Sequence, residues 1–321
     1  MKTDLARLFQ TQKLFNDLFF NRDQLTQIEK EEITKSLSLA LHSEISSMIS
    51  GINFKDHRSS RIEIDVDKIL YESVDAFRYI IAIMNLWGLS HSQFVDAFDD
   101  KDLYLKTCHK IERNKWEGQP VLIVDMDDVI VEFRDGFIEW LRDRHDVHVD
   151  PDCSEYYTSS AVKAKGLNPE RVFSDFISER QLRNLSSVDG MVDVLNKLHD
   201  KGYWIQLLTA RPEENLLCCY DTYSWVEKSG LKYDRLDFSG EKYRWLAQSE
   251  YYDTGSIVCA IDDSPKHSAE YAKHGVKVLS PVQPYNLELE SLENVTMYSI
   301  GLSVLDLVES HYNDMENTSG Q

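Results

Sequence analysis

Of four short apolar runs in the C-terminal two thirds of the chain, three stop at a residue that does not belong in a core. "VLIV" (121–124) runs into Asp125-Met126-Asp127-Asp128, and "WIQLL" (204–208) runs into Thr209. "IVCAI" (257–261) runs into Asp262-Asp263, and the fourth run covers Val276–Leu279. The intervening segments are long enough for crossover helices, so this pattern predicts a parallel α/β sheet. Ligands of such sheets bind at the carboxyl ends of the strands, so the acids and the hydroxyl gather at one edge. Side chains alternate along extended chain, so Asp125 and Asp127 point one way and Asp128 another. Two carboxylates on one side, next to phosphate oxygens, are a seat for Mg²⁺. Thr209 can hold a phosphate oxygen through its hydroxyl and the neighbouring amides. Lys242, in "FSGEKYRWLAQ" ahead of the third run, can neutralise both a phosphate and the crowded carboxylates.

These residues, in this order, resemble the haloacid-dehalogenase-type phosphohydrolases over roughly residues 119–286. Asp125-Met126-Asp127 matches the family's first motif, Thr209 the second, Lys242 the third and Asp262-Asp263 the fourth; Lys228 and Lys232 are weaker matches to the third. The resemblance implies an aspartyl-phosphate on Asp125, with Asp127 as general acid and then base. It implies Mg²⁺ held by Asp125, the backbone carbonyl of Asp127 and the Asp262–Asp263 pair, with Asp263 as the direct ligand and Asp262 as its support. Thr209 and Lys242 would bind the phosphoryl group. "LLTARP", "DTYSWVEKSGLKYDRLDFSGEK", "IDDS" and "PVQPYN" look like the 5′(3′)-deoxyribonucleotidase group, which carries a helical cap after the first motif. Residues 133–185 would be that cap, and Phe133, Arg134 and Arg211 are candidate substrate contacts. That group usually has a small residue, often glycine, where this chain has Asp128.

The first third reads differently. No proline precedes Pro120, and "TDLARLFQTQKLFNDLFF", "TQIEKEEITKSLSLALHSEISSMISGI", "DVDKILYESVDAFRYIIAIMNLWG" and "SHSQFVDAFDDKDLYLKTCHKI" have helical spacing. Asp65 or Asp67 is a candidate N-cap for the third helix, and Gly88 ends it. This predicts an all-α bundle over 1–115, with "ERNKWEGQP" (112–120) as the linker. Glu72 and Asp75 share a helix face, and Glu44 lies on the preceding helix. "LFQTQKLF", "LALHSE", "INFK" and "ESVD" resemble the all-α NTP pyrophosphatases of the dimeric dUTPase-like branch, also called MazG-like. That family holds Mg²⁺ with E-x-x-E and E-x-x-D pairs. Here Ser47 stands where the second acid of the first pair is expected, and the later basic stretch is poorly kept in "DDKDLYLKTCHK". The resemblance therefore implies a degenerate metal site at Glu44, Glu72 and Asp75, with Lys55 as a candidate phosphate contact and a homodimer formed through the helices.

The fold class expected is thus multi-domain: an all-α bundle (1–115), an α/β Rossmann-like core (119–290) with a helical cap, and a C-terminal helix with a disordered tail (291–321). A formal charge of −20 would repel a phosphate backbone, which argues against nucleic acid. Five cysteines without metal-ligand spacing suit a reducing, cytoplasmic setting. The opening "MKTDLARLFQ" lacks the apolar run of a secretion signal, and no run of 18 apolar residues suggests a membrane span. The leading expectation is a Mg²⁺-dependent phosphomonoesterase for (deoxy)nucleoside monophosphates. A bifunctional enzyme that also converts NTP to NMP, a nucleotide-binding regulator, and a phosphatase for nucleic-acid ends are the alternatives.

Overall fold

The structure, a computed structural model, describes residues 2–54, 61, 63–150, 153–156 and 158–319. It separates into two compact units, Met1–Asp99 and Asp100–Gln321.

The first unit contains α1 (Lys2–Asn16), α2 (Gln27–Ile49), α3 (Val66–Leu86) and the start of α4 (His91–Arg113). Thr26 and Glu29 form a reciprocal capping box at the start of α2, which satisfies two of the amides that a helix start leaves open. Asp65, not Asp67, caps α3 by accepting from Lys68 N, and Gly88 beyond its end adopts a left-handed φ of +76°. The unit has a thin core: Phe9, Ile81, Ala82 and Leu86 are buried beside Gln12 and Asn16. The 23 residues of α2 include none that is buried. The helical region ends with α4 at Arg113, within the 112–120 linker. The division between the compact units falls inside α4, where Tyr104 and Ile111 pack with the core of the second unit.

The second unit is built on a six-stranded parallel sheet of order β3-β2-β1-β4-β5-β6. The strands are β1 (Val121–Val124), β2 (Trp204–Thr209), β3 (Arg235–Phe238), β4 (Ile257–Ile261), β5 (Val278–Pro281) and β6 (Val295–Tyr298). The helices are α5 (Phe133–His145), α6 (Ser159–Ala164), α7 (Pro169–Ser178), α8 (Met191–Asp200), α9 (Leu216–Ser229), α10 (Lys242–Gln248), α11 (Pro265–Lys273) and α12 (Ser303–Ser319). The central strands are mostly apolar on both faces because helices cover both. Leu122 and Val124 of β1 join a core with Leu195, Val226 and Val304 from α8, α9 and α12. Val121 and Ile123 face the other way, toward Leu246 and Tyr271 of α10 and α11. Where disorder was expected at the C-terminus, α12 continues to Ser319: Val304 and Val308 anchor it in the first of these cores.

Between β1 and α8 the chain leaves the sheet and returns, placing α5, α6 and α7 as a helical insert with its own core around Phe137, Leu141, Val162 and Phe176. The outgoing and returning segments bond to each other, Glu132 N to Ser186 O at 3.0 Å and Val188 N to Ile130 O at 3.0 Å. Arg180 and Arg183, at the end of the insert, both pair with Asp100 of α4 and the fully buried Asp221 of α9. The five cysteines are unpaired thiols. No helix of the described residues is long and apolar enough to cross a membrane.

Candidate active site

The strand order reverses between β1 and β4, which opens a crevice beyond their carboxyl ends. Asp125 follows β1 and Asp262-Asp263 follow β4, so the sequence's two acidic strand ends meet at this crevice. Asp125 is anchored by its amide, which donates to Ile261 O of β4 at 2.9 Å. The Lys242 ammonium lies 2.7 Å from Asp125 Oδ2 and 2.7 Å from Asp262 Oδ2. It is 1% exposed, at the start of α10. Lys228 and Lys232 do not compete: Lys232 is exposed and pairs with Asp200, and Lys228 closes the last turn of α9.

The electrostatics follow from burial. Asp125 is pushed up to about 6, chiefly by desolvation, with Lys242 opposing and Asp262 and Asp127 adding repulsion. Asp263 is raised well above the ordinary carboxylate range by burial and by Asp125. Burial lowers Lys242, but Asp125 and Asp262 overcome it and hold the ammonium above its ordinary value. A lysine with two carboxylates in contact therefore stays charged.

The two neighbouring acids that follow β4 have different duties. Asp262 is fully engaged, with one oxygen on Lys242 and the other accepting from Ser264 N at 2.9 Å. Asp263 Oδ2 accepts from the Tyr285 hydroxyl at 2.6 Å, while its Oδ1 is buried without a partner. Ligand oxygens of Asp125, Asp262 and Asp263 lie within 4.8 Å of one another. An unpartnered buried carboxylate oxygen in an all-oxygen cluster fits a hard divalent cation such as Mg²⁺.

Asp127 stands at the mouth of the site, its side chain 24% exposed. It is gripped by the Arg211 guanidinium, which is therefore committed to a protein carboxylate. Thr209 is fully buried at the end of β2, and its hydroxyl accepts from Arg211 N. Above Asp127 lies a cavity of about 350 Å³ between the sheet and the insert, lined by Phe133, Phe137, Tyr156, Phe173, Arg134 and Arg211 among others. Arg134 reaches this wall but spends its guanidinium on Glu155 O (3.0 Å) and Cys153 O (2.7 Å), and it stacks on the Tyr285 ring.

Asp128 adopts φ +55°, the left-handed region in which glycine is easy and aspartate tolerated. That backbone requirement fits the glycine that the resemblance led one to expect at this position. The carboxylate also accepts from Arg134 N at 2.8 Å, capping α5 from outside the helix, and contacts Tyr285 Oη at 3.3 Å. Its carboxyl is pushed up to about 7, chiefly by burial. Sequence reasoning missed the role of Tyr285, which joins Asp128 to Asp263, and of Asn286, whose amide donates to Asp263 O at 2.9 Å. Both lie in "PVQPYN"; nothing in a local pattern says that this loop returns to the site.

In the helical unit, Glu44, Glu72 and Asp75 come within 4.8 Å of one another and are half-buried. The Ser47 hydroxyl donates to Glu72 Oε1 at 2.6 Å, so serine supplies a hydrogen bond where a further acid was expected. Glu44 is raised by its hydrogen bond with Glu72 and by burial. Lys55 lies outside the described residues.

Residues 119–298 match the family described as 5′ nucleotidase, deoxy (pyrimidine), cytosolic type C protein. No curated protein matches the chain. Among solved structures, it is similar at 14% identity to a predicted phosphatase from Clostridium acetobutylicum, with a TM-score of 0.43 over 62% of this chain and 99% of that one. It is similar at 12% identity to YfnB from Bacillus subtilis, described as a HAD-hydrolase bound to magnesium, with a TM-score of 0.44 over 60% of this chain and 100% of that one. It is similar at 14% identity to a predicted phosphoglycolate phosphatase from Haemophilus somnus, with a TM-score of 0.41 over 60% of this chain and 99% of that one. With the family matched across its whole sheet and the acid–lysine–acid cluster at the carboxyl edge, the chain belongs to the 5′ nucleotidase, deoxy (pyrimidine), cytosolic type C family and is a phosphoric monoester hydrolase.

Proposed function

We propose that the protein is a Mg²⁺-dependent phosphomonoesterase acting on (deoxy)nucleoside monophosphates through an aspartyl-phosphate on Asp125. The observation that carries this is the buried Asp125–Lys242–Asp262 cluster two residues from Asp127, which lines an aromatic cavity. The Asp125 carboxylate attacks phosphorus, and the bond to the leaving oxygen breaks as Asp127 donates its proton to that oxygen. Water then attacks the phosphoryl group, Asp127 takes its proton, and phosphate leaves with Asp125 restored. Lys242 and Thr209 hold phosphoryl oxygens while charge redistributes. Asp125, Asp263 and the Asp127 carbonyl would hold the metal, with Asp262 as support; when bound, it supplies positive charge that offsets carboxylate and phosphate repulsion.

The insert acts as the cap, and the rings of Phe133, Phe137, Tyr156 and Phe173 offer stacking surface for a flat base. Phosphate release from a panel of NMPs, dNMPs and sugar phosphates tests the reading. Release from nucleotides that disappears in Asp125→Asn is expected; preference for sugar phosphates would overturn the substrate class.

A second reading concerns the helical unit. We propose that it is a degenerate member of the all-α NTP pyrophosphatases, because the Glu44–Glu72–Asp75 cluster is assembled yet Ser47 brings no charge. Exposed Ile28, Leu39, Leu70 and Tyr71, on helices that bury little, support a homodimer through this unit. Pyrophosphate release from NTPs that is abolished by Glu72→Gln would show retained activity and overturn the degenerate assignment.

A further inference from the structure

The guanidinium of Arg211 is held by protein partners on two sides, one of them the Asp127 carboxylate. Its side chain is 2% exposed, and Nε lies 3.0 and 3.2 Å from the two Asp127 oxygens while Nη2 lies 2.5 Å from Oδ1. On its far side, Nη1 donates to Thr222 Oγ1 at 3.0 Å. Thr222 is fully buried on α9, and its own hydroxyl donates to Cys218 O at 2.8 Å, which leaves the oxygen's lone pairs to accept from Arg211. At its base, the Arg211 amide donates to Thr209 Oγ1 at 3.3 Å. The side chain is thus fixed at both ends, by the end of β2 and by α9.

We infer that Arg211 is the positioning residue of the Asp127 carboxylate and takes no part in binding substrate. The inference rests on Asp127 being the acid–base group. A carboxylate has about four lone-pair positions, and the guanidinium fork takes one side of it. The other side faces the cavity, where the leaving oxygen and then the attacking water must sit. Asp127 lies beyond the end of β1 and immediately before the left-handed Asp128, so no strand ladder fixes its side chain. The rigid fork of an arginine can do so, where a lysine would act as a point charge. Moving Arg211 to a phosphate would strand Asp127 and break the Thr222 bond, while Lys242 and Thr209 already serve the phosphoryl group.

A double-mutant cycle tests this, with wild type, Arg211→Met, Asp127→Asn and the double variant assayed on a nucleoside monophosphate and on p-nitrophenyl phosphate. The nucleoside leaving group needs a proton, and p-nitrophenolate does not. Arg211→Met should lower kcat on the nucleotide by about 10²-fold, within the range of acid–base contributions, with KM changed by less than about threefold. On p-nitrophenyl phosphate it should keep a burst of about one equivalent of p-nitrophenolate followed by slow turnover, because water activation still needs Asp127. In the Asp127→Asn background the same substitution should have little further effect. A large rise in KM with kcat intact, or a full loss in the Asp127→Asn background, would overturn the inference. If Arg211→Met does not fold, Thr222→Val removes the outer support instead. It should cost several-fold in kcat in wild type and nothing in Asp127→Asn; a loss equal in both backgrounds would overturn the inference. If Asp127→Asn is itself fully active, the acid–base assignment fails first. If Asp127→Asn is crippled and Arg211→Met is not, only the positioning role fails.

Discussion

Replacing Lys242 by methionine should leave two buried carboxylates facing each other without their counter-charge. In wild type the ammonium contacts each at 2.7 Å. At an effective dielectric of about 20, each contact represents about 6 kcal/mol of gross attraction, most of it offset by the cost of burying three charges. Removing one partner from a buried ion pair costs a net of about 3–5 kcal/mol, which corresponds to a midpoint drop on the order of 10 °C for a unit of this size. The loss should depend on pH, and its sign can be worked out. Lys242 is held above its ordinary value of 10.5, so it stays charged from pH 5 to 9 and the pH dependence comes from its carboxylate partners. Asp125 sits at about 6 in the folded chain against an ordinary 3.8, with Lys242 restraining it. Without the lysine it rises further, so the variant regains stability by protonation as pH falls. Denaturant unfolding in the presence of a chelator, at pH 8 and pH 5, measures this. The expected destabilisation is largest at pH 8, smaller at pH 5, and partly relieved by adding Asp125→Asn. A loss below about 1 kcal/mol at pH 8, or one equal at both pH values, would refute the reasoning.

Mg²⁺ should raise the thermal midpoint more at pH 8 than at pH 5. Asp125 and Asp128, at about 6 and about 7 against an ordinary 3.8, keep protons that the unfolded chain has released. Metal-free stability therefore falls as pH rises from about 4 to about 7, and bound metal offsets the repulsion; equal shifts in a thermal scan at both pH values would count against this. Tyr285→Phe should weaken Mg²⁺ affinity by about tenfold, the lower end of effects for groups that orient metal ligands, as read by titrating metal into the protein and following heat. Asp128→Gly should retain kcat and change stability by less than about 1 kcal/mol, because relief of the left-handed backbone offsets the lost cap of α5. Asp128→Val should lose more, since a β-branched residue is strained at φ +55°; denaturant midpoints of the two variants compare them.

The sheet was legible where burial was complete. β1, β2 and β4 are all-apolar or nearly so and end in chemistry-bearing residues, and both properties show in sequence. β3 carries Arg235 and Asp237, and β6 contains Thr296; both strands lie at sheet edges, where alternation is weak and short runs pass for loops. Val276–Leu279 was placed as the fourth strand, and the ladder of β5 begins two residues later, at Val278. Lys242 was readable because a lysine opening a helix ahead of an acidic strand end has few other uses. The pairing of Arg211 with Asp127 was not readable, since the partners are 84 residues apart. Nor was the reach of Tyr285 to Asp128, 157 residues away. Asp128 could be recognised as a departure but not explained, because its reason is a dihedral angle.

The paired segments at 130–132 and 186–188 have a consequence for how such an enzyme can diversify. The chain enters and leaves the insert along a two-stranded stalk, so its two ends are about 5 Å apart, the spacing of neighbouring strands. Whatever hangs from that stalk can be shortened, lengthened or replaced by recombination while β1 and its acids stay in register with β4. Selectivity then resides in an exchangeable cassette and bond-breaking in a fixed chassis, and each can drift under its own selection.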